Sequence, residues 1–223
     1  MPRTEQTSSW TTKALIEYVA GLSNASKMPG YGYSLPAADC IVGGRLRSIK
    51  DSTCSKCYAH KGNYRFGNVQ AALRRRAQAI VKPLWVEAMA ELISRRSRKV
   101  PYFRWHDSGD LQSVDHLARI CAVADLTPQI AHWLPTREYR IVSEYVESGG
   151  AFPDNLCVRM SAHMIGGHVP TFPRLRGLVT VSTVSRDGYE EAHECPARHQ
   201  DNHCGDCRSC WDRDVEHVDY HLH

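Results

Sequence analysis

The sequence predicts an α/β fold organised as a partial, open parallel β/α barrel, and three observations lead to this prediction. From about residue 100 onward, short apolar strand-like runs alternate with helix-like segments, which is the pattern of a parallel sheet covered by helices. Polar residues able to do chemistry follow these strands, as at the ligand-binding carboxyl ends of strands in such folds. About five strands can be recognised, too few for a closed eight-stranded barrel.

The N-terminal part is predicted to be mainly helical around one long loop. Helices are expected at residues 10–22 and 68–97, separated by a short extended piece at 31–35 and a loop at 37–63. The caps and breaks expected here are Thr11 or Thr12, Asn68 and Pro83. Loops of this length are usually functional, and this loop holds three of the nine cysteines.

The second part is predicted to alternate between strands and helices. Strands are expected at residues 100–106, 130–134, 156–160 and 178–184, and helices at 113–125 and 138–148. These elements and the cysteine loop are expected to form one barrel domain over residues 1–190. A cysteine-rich metal-cluster segment is expected to follow over residues 191–223.

Composition and charge exclude several classes of protein. The hydrophobic fraction is 42% and the charged fraction 23%, as in ordinary soluble proteins. No run approaches the roughly 18–20 apolar residues of a transmembrane helix, and residues 1–12 lack a signal pattern. We therefore expect a cytoplasmic protein without membrane contact. Its cysteines should be reduced, which favours metal binding over disulfides.

The net charge of +4 gathers in a few basic clusters, of which residues 74–76 and 95–99 are the densest. Such clusters can contact the phosphates of a nucleic acid, although a mild excess is more often a solvated helix face. Charge alone therefore leaves nucleic acid as one candidate partner.

One group of four cysteines lies near the C-terminus with the spacing C-x8-C-x2-C-x2-C. Its members are Cys195, Cys204, Cys207 and Cys210. Two-residue spacings let neighbouring thiolates converge, and four thiolates suit zinc or a four-iron cluster. The overlapping spacing favours iron–sulfur, because zinc ribbons usually pair their cysteines in two separated knuckles; zinc stays the alternative. His193, His199 and His203 lie nearby and could replace a ligand.

A second group consists of Cys40, Cys54 and Cys57, spaced C-x13-C-x2-C. Three ligands would leave one position open, the feature that separates a catalytic metal site from a structural one. Alternatively, Cys40 is a small buried residue and only the other two form a pair. Cys121 and Cys157 lie on apolar faces and are expected to be core residues.

Several stretches resemble a phage-encoded family of unassigned function, the gene-product-88-like proteins, which is similar in pattern to the radical S-adenosylmethionine enzymes. The stretches are SKMP at 26–29, CSKCYA at 54–59, FRWHDSGD at 103–110 and CGDCRSCW at 204–211. The resemblance covers residues 26–223 and implies that the protein works in the host cytoplasm.

The resemblance to the radical enzymes implies a cluster site. Members of that class hold a four-iron cluster with three cysteines in the loop after the first barrel strand, and the open iron binds the methionine part of S-adenosylmethionine. Cys40, Cys54 and Cys57 would be the ligands here. Lys50 stands where the usual C-x3-C-x2-C motif has its first cysteine, so the first spacing departs from the pattern.

The same resemblance implies residues that bind the cofactor. Ser108, Gly109 and Asp110 stand where the class has a Gly-Gly-Glu-like motif for the methionine amino group. Arg159 and Ser161 would hold the carboxylate and the ribose. Alternatively, Asp110 caps the helix at 113–125, a role that Asp107 or Ser113 could also fill. Arg137 and Arg159 could each bind a ligand or take part in a surface or ion-pair contact.

Three functions are compatible with these patterns. The favoured one is a radical S-adenosylmethionine-like enzyme with one or two [4Fe-4S] clusters, which acts on nucleic acid or a nucleotide and needs an electron donor. The second is a base-exchange enzyme similar to guanine transglycosylases with structural zinc, indicated by DSG at 107–109 and LQS at 111–113. The third is a non-catalytic, metal-stabilised nucleic-acid-binding or regulatory protein, in which Arg74 to Arg76 contact phosphates.

Overall fold

The structure, a computed structural model, describes residues 5–222. Seven strands form its sheet: β1 (Tyr31–Tyr33), β2 (Tyr102–Trp105), β3 (Ala131–Thr136), β4 (Leu156–Ser161), β5 (Thr180–Ser185), β6 (His193–Glu194) and β7 (His217–His221). Their order is β1-β2-β3-β4-β5-β7-β6, and every neighbouring pair is parallel. The first five strands are neighbours in chain order, as in a β/α barrel. The prediction of a partial, open parallel β/α barrel is therefore confirmed.

Helices cover one face of this sheet. The α-helices are α1 (Glu5–Ser8), α2 (Thr12–Val19), α3 (Ile41–Leu46), α4 (Gly67–Ala79), α5 (Trp85–Arg96), α6 (Val114–Asp125) and α7 (Tyr139–Glu147). Buried side chains of α2, α4, α5, α6 and α7 pack in one core with Leu134 of β3 and with alternate residues of β2 and β4. Trp85 is fully buried in this core, and its ring meets that of Tyr33 edge to face at 5.7 Å. Within residues 5–222, the helices are all too short or too polar to cross a membrane.

The segment between β6 and β7, residues 195–216, packs against the opposite face of the sheet. Trp133 of β3 and Val218 of β7 form a second apolar cluster with Cys210 and Trp211. The indole of Trp211 donates a hydrogen bond of 2.9 Å to the carbonyl of Phe103 in β2. The segment therefore covers the face that the helices leave open.

Most predicted elements are confirmed, and the differences concern connections. The five predicted strands correspond to β1–β5, and the expected break at Pro83 separates α4 from α5. β6 and β7 were not predicted. Residues 37–63 are not an unstructured loop but contain α3 and several short 3-10 turns. Asn68 was wrong as a cap, because α4 begins at Gly67 and has no side-chain cap.

The start of α6 decides between two roles for Asp110. Ser113 is the N-cap, and its hydroxyl accepts a hydrogen bond of 3.1 Å from the backbone N–H of His116. Asp110 therefore does not cap this helix. The expectation that Cys121 and Cys157 are core residues is confirmed, since they are 3% and 0% exposed.

The domain division at residue 190 stays a prediction. β7 pairs with β5, and β6 pairs with β7, so residues beyond 190 contribute two strands to the same sheet.

Candidate functional site

The three cysteines of the N-terminal group lie on a segment that follows β1 and crosses the carboxyl edge of the sheet. The segment consists of α3 and 3-10 turns at Ala37–Asp39, Thr53–Lys56 and Tyr58–His60. The turn at Thr53–Lys56 begins at Ser52, whose hydroxyl accepts from the backbone N–H of Ser55 at 3.0 Å. Because the strands are parallel, their carboxyl ends meet at this edge, where ligands gather in such folds.

The end of β2 holds the start of this segment. The N–H of Leu35 donates to the carbonyl of Ser108 at 2.8 Å, and the Ser108 hydroxyl donates to the carbonyl of Leu35 at 2.7 Å. Gly109 has a φ of +82°, and a Cβ there would lie 2.5 Å from Leu35 Cβ. Only glycine lets the two chain segments approach so closely. Ser108 and Gly109 thus position the chain that leads to Cys40.

The ends of β3 and β4 hold the rest of the segment. Glu138, two residues after β3, accepts through Oε1 from the N–H of Val42 in α3 at 2.8 Å. The backbone N–H of Thr53 donates to the carbonyl of His163 at 2.9 Å. The hydroxyl of Thr53 donates to the carbonyl of Ala162 at 3.1 Å, directly after β4. The cysteine segment is therefore tied to three successive strand ends.

These contacts bring the three thiols together. Cys40, Cys54 and Cys57 are partly buried and form no disulfide. Burial raises the pKa of Cys40, and the charges of Asp110 and the other two thiols raise it further. A Cβ at Gly43 would lie 3.0 Å from Cys40 Cβ and 3.4 Å from Cys54 Sγ, so glycine leaves space between these thiols. Thiols that hold their protons at neutral pH release them when they bind a metal.

Asp110 is the acidic group beside the thiols. It is 6% exposed and accepts hydrogen bonds from the Thr136 hydroxyl at 2.6 Å, the Leu111 N–H at 2.8 Å and the Arg137 N–H at 3.0 Å. Burial raises the pKa of Asp110, whereas these hydrogen bonds lower it by stabilising the charged form. The negative charge of Asp110 also raises the pKa of Cys40.

A guanidinium and a stacked pair of rings complete the site. Arg137 donates through Nε to the carbonyl of Ala162 at 3.3 Å. Burial raises the pKa of Cys54, and the charge of Arg137 opposes this effect. The rings of Tyr139 and His163 stack with centroids 4.3 Å apart. Thiols, one carboxylate and one cation therefore lie at a single edge of the sheet.

The second cysteine group lies on the face opposite the helices. The N–H of Cys195 donates to the carbonyl of Asp219 in β7 at 2.8 Å. His193 Nε2 lies 3.4 Å from Cys207 Sγ, and the Tyr220 hydroxyl lies 3.2 Å from Cys210 Sγ. Burial raises the pKa of Cys210 to about 12. Cys204 belongs to the same group, because the charges of Cys195 and Cys207 add to the effect of burial in raising its pKa.

Arg104 of β2 lies between the two cysteine groups. Its Nη1 is 3.0 Å from Asp107 Oδ1, and Asp107 accepts hydrogen bonds from the hydroxyls of Tyr58 and Tyr64 on the segment of the first group. The Arg104 guanidinium also lies over the Trp133 ring, 4.5 Å from its centroid, in the apolar cluster that contains Cys210. One partly buried cation thus connects both regions.

The predicted cofactor residues of β4 have other contacts. Arg159 is fully buried, and its guanidinium donates to four backbone carbonyls at 2.9–3.1 Å, those of Val181, Ser209, Asp212 and Val215. The Ser161 hydroxyl accepts from Ser182 at 3.1 Å. Their roles as cofactor ligands stay predictions. Arg137 was weighed as a ligand-binding residue against a surface or ion-pair contact. Glu138 was not predicted, although both residues follow β3 closely, where parallel folds place ligand-binding residues.

The ligand roles of the seven cysteines also stay predictions. Within residues 5–222, no group of three or more His, Cys, Asp or Glu side chains is arranged so that it could hold a metal ion.

The comparisons with known proteins give one match. A family model described as Gene product 88 matches residues 4–218. Comparison with curated proteins and with solved structures finds no match. The comparisons thus provide a family but no relative among the radical S-adenosylmethionine enzymes.

Proposed function

The chain belongs to the gene product 88 family, a phage-type family, and from this premise we propose that it is an iron–sulfur enzyme of the radical S-adenosylmethionine type. One observation carries the proposal. Cys40 and Cys54 lie close enough to the buried carboxylate of Asp110 for its charge to raise their pKa values, and Cys57 in turn acts on both thiols. The group lies at the carboxyl edge of an open parallel β/α sheet. This edge is where parallel α/β folds bind their ligands.

The thiols suit a four-iron cluster with one open iron. Cys40, Cys54 and Cys57 would hold it, with the space beside Gly43 supporting the fit. Each thiolate of such a cluster binds a different iron, so the three sulfurs need not meet at one point. A fourth ligand from the chain is not needed, because the open iron is the position that takes the cofactor.

The charges beside the thiols suit the amino-acid part of S-adenosylmethionine. The Asp110 carboxylate would pair with the amino group, and the Arg137 guanidinium would pair with the carboxylate. The hydrogen bonds to Asp110 keep this group oriented before a ligand arrives. When bound, the cluster and S-adenosylmethionine supply one-electron reductive chemistry. The residues of the chain bind the cofactor, orient it and exclude water.

The second cysteine group would hold an auxiliary cluster, with zinc as the alternative metal. Cys195, Cys204, Cys207 and Cys210 are its proposed ligands. Arg104 between the two groups would favour the reduced, more negative state of a cluster on either side. An electron donor is then a required partner of the enzyme.

The alternatives differ in their support. The Asp107 carboxylate lies in the stretch similar to transglycosylases. It already pairs with Arg104 and accepts from the hydroxyls of Tyr58 and Tyr64, so that alternative has no carboxylate without a partner in this stretch. A non-catalytic nucleic-acid-binding protein stays the second candidate, and the exposed cations described below favour it.

Metal and sulfide content of protein purified without oxygen tests the proposal. We expect about eight irons per chain if both groups hold four-iron clusters. The double variant C54S/C57S and the variant Cys207→Ser should each retain about half of the iron. The electron paramagnetic resonance signal of the reduced protein should change when S-adenosylmethionine is added. This response should persist in Cys207→Ser and be lost in C54S/C57S.

Two further variants sharpen this test. Asp110→Asn should keep the iron and weaken the response to S-adenosylmethionine. Cys121→Ala removes a core thiol outside both groups and should keep the iron content of the parent protein. Colourless protein that contains only zinc would contradict the proposal, and so would an unchanged response in C54S/C57S.

A further inference from the structure

The segment of residues 41–66, which carries Cys54 and Cys57, contains an excess of positive charge. It has six Lys or Arg residues and one Asp, an excess of five charges, compared with +4 for the whole chain. The rest of the chain is therefore nearly balanced. All six basic residues are exposed; they are Arg45, Arg47, Lys50, Lys56, Lys61 and Arg65.

None of these cations forms an ion pair within the described residues, and only the charge of Arg45 acts on a carboxylate of the site, that of Glu138. By contrast, Arg119, Arg140 and Arg174 elsewhere on the surface each pair with an acidic side chain. Arg74 and Arg75 lie on α4, which contacts the end of the segment, and they are exposed as well. Like charges held together without acidic partners repel one another, and a polyanion relieves this repulsion.

Large apolar side chains are exposed on the same segment. Phe66 is 59% exposed, Tyr58 53%, Ile49 46% and Ile41 43%. They make up half of the eight large apolar side chains that are exposed among the described residues. Exposed aromatic rings interleaved with cations are typical of surfaces that bind single-stranded nucleic acid, where phosphates meet the cations and bases stack on the rings.

Tyr58 connects this surface with the thiol site. It directly follows Cys57, and its hydroxyl donates to Asp107 beyond the end of β2. Its ring centroid lies 5.8 Å from that of Tyr64, yet half of the side chain is open to solvent. A base stacked on Tyr58 would therefore lie beside the cysteine group.

We propose that residues 41–66, together with Arg74 and Arg75, form a docking surface for single-stranded nucleic acid. The inference rests on the proposed function in taking this strand as the substrate of the thiol site. A single strand is favoured over a duplex, because the bases of a duplex stack on one another and cannot reach the exposed rings.

The test measures the binding of a fluorescent single strand of about 20 nucleotides, as DNA and as RNA, to the full chain at several salt concentrations. A duplex of the same sequence is measured in parallel. The single strand should bind more tightly than the duplex. The variant K56Q/K61Q/R65Q should reduce the slope of log affinity against log salt by roughly two. Phe66→Ala should weaken binding about fivefold, the loss of one stacked base, and Phe66→Tyr should restore it.

A matched control is available at the opposite edge of the sheet. Arg96, Arg98 and Lys99 are exposed and precede β2. The variant R96Q/R98Q/K99Q removes the same number of charges, and it should keep the salt slope of the parent protein. Iron content is measured on every sample, so that loss of metal is not mistaken for loss of binding.

Several outcomes would overturn the inference. They are a preference for the duplex, equal losses in the two triple variants, and binding that Phe66→Ala leaves unchanged. Self-association that Phe66→Ala abolishes, without binding of a strand, would instead assign the surface to a second copy of the chain. Salt-dependent binding by iron-free protein would support the docking surface and contradict the proposed cluster. If the protein contains iron and responds to S-adenosylmethionine but does not bind a strand, the result would support the proposed cluster and contradict the docking surface.

Discussion

At the scale of single residues, a chain of hydrogen bonds fixes the protonation state of His132 in the core. The indole N–H of Trp105 donates to His132 Nδ1 at 3.2 Å. An indole nitrogen can only donate, so Nδ1 carries no proton and Nε2 donates to the Thr127 hydroxyl at 2.8 Å. That hydroxyl donates to the carbonyl of Val123 at 2.7 Å. Burial lowers the pKa of His132 to about 3, so the ring stays neutral.

Acid should therefore destabilise the protein through His132. The unfolded chain binds a proton near the ordinary histidine pKa of about 6.5, whereas the folded chain does so only near pH 3. The free energy of unfolding should fall as the pH drops through this window, and His132 alone contributes about 1.4 kcal/mol per pH unit to the fall. Urea unfolding at several pH values measures this slope.

Two variants test the assignment to this residue. His132→Asn can still accept from Trp105, and it should reduce the slope by about 1.4 kcal/mol per pH unit because it does not titrate. The slope that remains includes the contributions of His106 and His116, whose pKa values burial lowers as well. His168 is exposed, so His168→Asn should leave the slope unchanged. A slope in His132→Asn as steep as that of the parent protein would contradict the assignment.

Sequence patterns located charged residues but not their partners. Arg74, Arg75 and Arg76 form one basic run, yet only the first two are exposed. The guanidinium of Arg76 donates to the carbonyls of residues 20–22. Arg159 likewise faces carbonyls distant in sequence. Such contacts depend on the three-dimensional fold, which a local pattern does not contain.

At the scale of elements, the cap of α6 makes a measurable contribution to stability. Ser113→Ala removes the hydroxyl that accepts from the His116 N–H, and it should lower the free energy of unfolding by about 1 kcal/mol. Ser113→Asp keeps an acceptor at the N-cap and should retain the stability. Urea unfolding of the three proteins checks this. Equal stability of Ser113→Ala and the parent protein would show that the cap is dispensable.

The strands differ in how readily the sequence predicts them. β2, β3 and β4 are apolar runs that end in polar loops, and they pair in chain order. β7 has few apolar side chains. Only Val218 and Tyr220 contact the apolar cluster on the face opposite the helices. Its Asp219 is buried and accepts from the hydroxyls of Thr183 and Ser185 in β5. A strand stabilised by a buried polar network lacks the hydrophobic signal that identifies a strand.

At the scale of the whole molecule, Arg159 joins the segment 195–216 to the sheet. Arg159→Met would leave several buried carbonyls without donors and should lower the free energy of unfolding by roughly 3 kcal/mol or more. The segment should also become more sensitive to protease. Arg186 is exposed, so Arg186→Met serves as the control. Equal rates of cleavage in the two variants would contradict this role of Arg159.

In the candidate site, too, the sequence indicates local features but not the contacts between distant residues. The cysteine spacings and the residues that follow β2 were visible in the sequence. The link between Glu138 and Val42 joins residues far apart in the chain, so it depends on the order in which the strands assemble. The sequence therefore indicated candidate groups for chemistry, and the fold determined which of them lie near one another.

The position of β7 has a consequence for synthesis on the ribosome. β7 lies between β5 and β6 in the sheet, although it follows both in the chain. A nascent chain that has emerged only as far as β6 has an unpaired edge at β5, and β6 has no strand to bind. The cysteines of residues 195–210 leave the ribosome before Asp219, whose carbonyl holds Cys195. The second cysteine group is therefore completed late, when β7 inserts between two strands that are already made.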